Sequence, residues 1–140
     1  MTTWGPREFN EFGATRLPGI MGLEILEADR EHVTGRIPVT APMIAGTGYL
    51  WAPVVVMLAD TLCAYGAGAH LPEGATFTTV EMKTNFVGTA AEGEAIAGEA
   101  RPAHLGRTTH VWDAVIRNET TDRQLALFRC TQMLLYPRPS

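Results

Sequence analysis

Apolar and polar residues alternate with a period of two along most of the chain, and the alternation is interrupted once by a long apolar run. Residues 1–18 read as a lead-in with one short helix over Arg7–Phe12, closed by Pro18-Gly19. Over Met21–Ala28, Met21, Leu23 and Ile25 oppose Gly22, Glu24 and Leu26, the pattern of a strand with one buried face. Val33, Gly35, Ile37 and Val39 share one face of a second strand. The short polar link Asp29-Arg30-Glu31 suits a hairpin between the two. Pro38 and Pro42 put that second strand near an edge or mark its end.

A loop of small residues, Ala41–Trp51, leads into a helix predicted over residues 53–69. Pro53 stands at its first position, where a missing N–H costs nothing. Val54–Ala69 is apolar or small nearly all round, as in a helix enclosed by other elements. Four strands are predicted after it, over Phe77–Val87, Glu94–His104, Arg107–Asn118 and Gln124–Leu135. In the first, Val80, Met82, Thr84 and Phe86 oppose Thr79, Glu81, Lys83 and Asn85. In the third, His110, Trp112, Ala114 and Ile116 share a side. Two strands, a long helix and a four-strand meander predict an α+β fold, an antiparallel sheet with one helix on one face.

The 140 residues are enough for one domain with a sizeable core, so residues 1–140 read as a single unit. Fifteen acidic against 11 basic residues give a net charge of −4. With no basic run, no nucleic-acid partner is expected. Between Ala41 and Pro72 the only formal charge is Asp60, but the uninterrupted core Leu50–Ala59 is too short to span a bilayer. Asp60 would also lie near the bilayer centre, so no membrane is expected. The first residues, MTTWGPREFNEFG, lack a basic segment followed by an apolar one, and a cytoplasmic location is expected.

Asp60 is the sharpest candidate for chemistry. A carboxylate inside a helix otherwise free of charge is desolvated, which alone raises its pKa, while a helix N-terminus or a nearby cation would lower it. A carboxylate under such competing influences suits a general base or nucleophile. The alternative is a structural aspartate that caps a loop or pairs with an arginine. The helix start is the second candidate, because its free N–H groups and positive dipole end can polarise a carbonyl. Ala52 retains an N–H there and Pro53 does not. Cys63, one turn after Asp60, reads as a buried structural thiol. His32, His70, His104 and His110 lack metal-ligand spacing, so no metal is expected. The Ile44–Gly48 stretch lacks a nucleotide-binding glycine pattern.

The element order and three local motifs resemble the hotdog-fold thioesterases of the PaaI-like and 4-hydroxybenzoyl-CoA branch. The family's helix motif, His-Gly-Gly-x-x-x-x-Leu-Ala-Asp/Glu, is matched by residues 51–60, Trp51-Ala52-Pro53 through Leu58-Ala59-Asp60. Thr79-Val80-Glu81-Met82-Lys83-Thr84-Asn85-Phe86 resembles the next strand, and Gly93-Glu94 and His104-Leu105-Gly106-Arg107-Thr108 resemble later junctions. The similarity covers roughly residues 17–135. It implies a sheet wrapped around one long central helix, with Asp60 as the catalytic carboxylate and the Ala52 N–H as the oxyanion donor. Thr79 would help orient water, and Gly106 and Arg107 would approach the CoA nucleotide. Family sites form between protomers, so a homodimer or a homotetramer (a dimer of dimers) is implied.

The chain departs from the family where Trp51 replaces the histidine and Ala52 and Pro53 replace both glycines. Ala45 stands where an Asn or Gln often orients water. Hydrolysis of an acyl-CoA to free acid and CoA remains the expected activity, with no cofactor beyond the CoA of the substrate. Tyr49, Trp51 and Met57 are expected to shape a pocket for a medium-chain or aryl acyl group. The competing reading, favoured by Trp51, is a non-catalytic acyl-CoA or hydrophobic-ligand binder. A hotdog dehydratase is a third, weakened by the lack of a histidine near Asp60 in the chain.

Overall fold

The computed structural model describes residues 4–139; the first three residues of the expected lead-in and Ser140 lie outside the described residues. Two short helices, α1 (Pro6–Gly13) and α2 (Leu17–Ile20), precede strands β1 (Glu24–Ala28) and β2 (Val33–Pro38). The long helix α3 (Ala52–Gly68) is followed by β3 (Thr76–Phe86), β4 (Ala95–Leu105), β5 (Thr109–Asn118) and β6 (Arg123–Leu135). All six strands form one antiparallel sheet in the order β1-β2-β4-β5-β6-β3, and α3 packs against its inner face.

The inner face is built by the alternation seen in the sequence. Val33 and Ile37 of β2, Ile96 and Ala100 of β4, and Trp112, Ala114 and Ile116 of β5 are all buried beneath α3. Leu58, Leu62 and Cys63 meet them from the helix. Gly35 and Gly98 lie opposite each other across β2 and β4. A Cβ on Gly98 would come within 2.6 Å of Leu62, so this glycine pair forms the recess that receives Leu62. Gly66 plays the same part on the helix: a Cβ there would lie 2.4 Å from the fully buried Trp112 ring.

Two expectations change. The last four strands are not one meander, because β3 lies at the far edge beside β6 while β4 lies between β2 and β5. The glycine recess holds β2 against β4, which leaves β4 no free edge for β3. Residues 87–94 therefore cross the end of the sheet, with the Val87 and Gly88 N–H groups both donating to the Leu125 carbonyl at 2.8 and 3.0 Å. The first strand starts at Glu24 rather than Met21, because Met21 closes α2 and Gly22 turns the chain at φ +88°. Pro38 ends β2, one strand in from the edge, as its proline leads one to expect.

The N-terminal segment is more than a lead-in. Phe9 stacks on Tyr65 of α3 with ring centroids 4.4 Å apart. The Asn10 side chain donates to the Ile25 carbonyl at 3.0 Å and accepts from the Ile25 N–H at 2.8 Å, doing for the β1 edge what a neighbouring strand would do.

Candidate active site

The loop before α3 is tied down at both ends of a small hairpin. Ile44 and Leu50 form an antiparallel bridge, Gly48 takes φ +86°, and the Trp51 N–H donates to the Met43 carbonyl at 2.8 Å. Trp51 is the N-cap residue of α3, in extended conformation and without a capping side-chain hydrogen bond. An indole has no acceptor to offer, so the Trp51 side chain caps no N–H of α3. Ala52 is the first helical residue and Pro53, the second, has no N–H. Val54 donates to the Trp51 carbonyl at 3.0 Å. The donor at this end is therefore the Ala52 N–H, reinforced by the positive end of the helix dipole.

One face of α3 escapes the sheet. Ala52 and Pro53 are exposed, and Val56, Met57, Asp60, Thr61 and Ala64 are half-buried, so the expected enclosure holds for the other faces only. Asp60 occupies the middle of this open stripe, and Met57 lies one turn before it. The Thr79 hydroxyl reaches Asp60 Oδ1 at 3.3 Å. That contact depends on a β-bulge between Thr79 and Glu81. Thr79 pairs with Gln132, while Met82, Thr84 and Phe86 pair with Cys130, Phe128 and Ala126 on β6. The bulge shifts the phase of the strand, so Thr79 shares the helix-facing side with Met82, Thr84 and Phe86 instead of opposing them.

Burial pushes the Asp60 carboxyl above its usual range, and the Thr79 hydrogen bond opposes that shift in part. No cation contributes. Because the folded-state pKa exceeds the unfolded value of 3.8, the stabilising effect of the bound proton is complete below that value and is lost as pH rises through the folded one. At neutral pH Asp60 therefore opposes folding. Asp60→Asn is expected to unfold at a higher temperature than the natural protein at neutral pH, with the gap closing on acidification; thermal melts across pH check this. A variant less stable at neutral pH would show that Asp60 has a stabilising partner.

A cleft of about 420 Å³ opens beside the helix start, lined by Tyr49, Leu50, Ala52, Val55, Phe86, Gly88, Thr89 and Leu125. Its walls are mainly apolar, and its size lies within the range of small-molecule sites. Tyr49 and Ala52 line it; Trp51, 55% exposed, and Met57 do not. Gly106 and Arg107 sit in the β4–β5 turn, at the end of the sheet where β3 begins and β6 ends; the Tyr136 hydroxyl donates to the Arg107 carbonyl. That is the opposite end from the cleft. Asp60 follows Ala52 by eight helical steps, about 12 Å along the axis. One chain thus brings Thr79 to Asp60 and Tyr49 to Ala52 and keeps those two groups apart.

Sequence reasoning missed Phe86, Thr89 and Leu125 as cleft residues and Gln132 beside Thr79. Gln132 is fully buried, its Oε1 3.1 Å from the Thr79 hydroxyl. The signal was a polar residue within the inward series Ala126, Phe128, Cys130, Gln132, Leu134 of β6. Among the described residues no three His, Cys, Asp or Glu side chains converge as a metal site, and no helix is long and apolar enough to cross a membrane.

The model of the Thioesterase superfamily matches residues 47–124, from the loop before α3 to the start of β6. The chain belongs to the thioesterase superfamily. It is thus a thioester hydrolase by family, with the hotdog architecture. ComA2 of Bacillus subtilis, which carries an esterase name, is 33% identical over 113 residues, 79% of this thioesterase and 87% of the relative. The 1,4-dihydroxy-2-naphthoyl-CoA hydrolase of Listeria monocytogenes is 27% identical over 111 residues, 79% and 89% of the two chains. Among solved structures, a thioesterase family protein from Silicibacter pomeroyi superposes with a TM-score of 0.82 at 28% identity. The match covers 95% of this thioesterase and all of that chain. A Pseudomonas aeruginosa thioesterase mutant shares the fold, with a TM-score of 0.88 at 23% identity and 95% coverage of both chains.

Proposed function

We propose that this thioesterase hydrolyses an acyl-CoA whose acyl group is aryl or of medium chain length, using Asp60 as general base or nucleophile. The observation that carries the reading is the carboxylate itself. Asp60 is half-buried on the open stripe of α3, raised in pKa, and partnered by a hydroxyl rather than a cation. Such a group is basic enough to take a proton from water and is not occupied by an ion pair.

Hydrolysis then runs as follows. Asp60 removes a proton from water held with the help of Thr79, and the hydroxide adds to the thioester carbon. The oxyanion that forms accepts a hydrogen bond from the Ala52 N–H at the positive end of α3. The C–S bond breaks as the carbonyl re-forms, CoA leaves as the thiolate and is protonated, and the acid is released. If Asp60 attacks carbon directly, the anhydride formed is opened by water with the same products. In either course both groups must lie close to one carbon, and about 12 Å of helix separates them in one chain. The reading therefore requires a second copy, with Asp60 of one protomer working with the Ala52 end of the other. Exposed Val80, Met82 and Phe86 along the edge strand β3 support a homodimer through that side, alone or doubled into a tetramer.

Tyr49 and Phe86 in the cleft supply aromatic surface for the acyl group. Trp51 and Met57, outside the cleft of one chain, are assigned to the acyl pocket that two copies complete. Arg107, exposed beside Gly106, suits a phosphate of CoA. CoA is part of the substrate and no further cofactor enters the reaction; a cytoplasmic location fits such a substrate. The test is kcat/KM for free-thiol release across straight-chain and aryl acyl-CoA esters. Benzoyl-type or medium-chain esters are expected to exceed acetyl-CoA by about tenfold or more, as burying several carbons in an apolar cleft requires. A preference for acetyl-CoA would overturn the acyl assignment.

A further inference from the structure

The geometry points to Gln132 as a positioning residue that acts on Asp60 through the Thr79 hydroxyl. The inference rests on the hydrolytic role of Asp60 proposed above. Gln132 is fully buried on β6, directly across from Thr79 in the β3–β6 register. Its amide lies 3.1 Å from Thr79 Oγ1, which lies 3.3 Å from Asp60 Oδ1. A threonine hydroxyl has one proton and two lone pairs. With Oε1 turned to Thr79, two acceptors face that single proton, and one of them is a carboxylate, the stronger acceptor. Turning the amide over within the same volume places Nε2 against Thr79 and resolves the conflict. Gln132 then donates to Thr79, Thr79 donates to Asp60, and Gln132 Oε1 faces Cys130 Sγ, 3.5 Å from the amide and itself a weak donor.

This order fixes the hydroxyl rotor. Without Gln132 the Thr79 proton is free to turn away; with it, one of the two lone pairs is taken and the proton is committed to the carboxylate. A donor already accepting a hydrogen bond is also a better donor. The other titratable groups on surfaces facing Asp60 carry no charge that could do this instead. Cys63 on α3 is a thiol pushed well up by its hydrogen bond to Cys130 on β6 and by burial. His110 on β5, across from Gln132, is held below its ordinary value by burial, which favours the uncharged ring. The inner faces of β2 and β4 offer only apolar residues and glycine there.

The test is a double-mutant cycle of Gln132→Met with Thr79→Val, read by thiol release across pH. Gln132→Met is expected to lower kcat about tenfold with KM within about twofold. It should also move the acid limb of kcat/KM upward, because the carboxylate loses a committed donor. In the Thr79→Val background the same substitution should change neither kcat nor the limb. An equal loss in both backgrounds, or an unmoved acid limb, overturns the inference. If Gln132→Met does not fold, the Gln132 side-chain amide of the natural protein is followed by NMR. Its resonance should titrate with Asp60 and stop doing so in Thr79→Val; a resonance indifferent to Asp60 overturns the inference. Asp60→Asn separates the two levels. Collapse of Asp60→Asn beside an indifferent Gln132→Met removes the positioning role alone, whereas an active Asp60→Asn removes the hydrolytic reading as well.

Discussion

Ala52→Pro is expected to lower kcat by about 10²-fold, with KM changed little, because it deletes the one N–H assigned to the oxyanion. Proline is chosen because the first helical position tolerates it. Trp51, at φ −69° and ψ 125°, already has the extended conformation favoured before a proline. A folded, substrate-binding and slow variant is the expected result, read from kcat, KM and the far-ultraviolet circular dichroism. The sharper consequence comes from pairing it with Asp60→Asn. If each site takes Ala52 from one protomer and Asp60 from the other, a heterodimer of the two variants holds one site with both defects and one with neither. Co-expressed under two tags and purified through both, that heterodimer should recover about half the natural activity per dimer. A heterodimer as inactive as its parents would place the whole site within one chain, against the 12 Å argument.

Much of the fold was legible because its elements obey simple periods. The inward residues of β2 and β5 were readable from alternation alone. The helix was readable from a run of apolar and small residues opened by Pro53, with bounds one residue from those observed at each end. Strand order was not legible. Alternation records which side a residue faces and not which strand lies next to it, and the Gly35–Gly98 recess that holds β2 against β4 joins residues 63 positions apart. The site was legible in part for a similar reason. Asp60 stood out as a lone charge, and Ala52 as the last N–H before a proline. The Asp60–Thr79 contact depends on a bulge, which inserts one residue into the strand and leaves no mark on a period-two reading. Gln132 was hidden because a single polar residue in an apolar series acquires meaning only once its cross-strand partner is known. Trp51, expected to help shape the acyl pocket, stands half-exposed at the N-cap of the helix in one chain, so a single chain does not decide that expectation.

The distinction between a hydrolase and a binder lies in Asp60. A half-buried carboxylate with a raised pKa and no cation is a costly residue to keep for structure alone, since asparagine would fill the same space without a charge to desolvate. Replacing it by asparagine preserves shape and removes the base. General-base catalysis contributes about 10² to 10⁴ in rate, and a nucleophile contributes at least as much. The direct measurement is free-thiol release from an acyl-CoA panel by the natural protein and Asp60→Asn side by side, with ester binding measured in parallel. The account predicts turnover of at least one ester, a fall in kcat of about 10³-fold or more in the variant, and binding within a few-fold of the natural protein. Saturable binding without thiol release by the natural protein, or turnover in Asp60→Asn close to the natural rate, would contradict it.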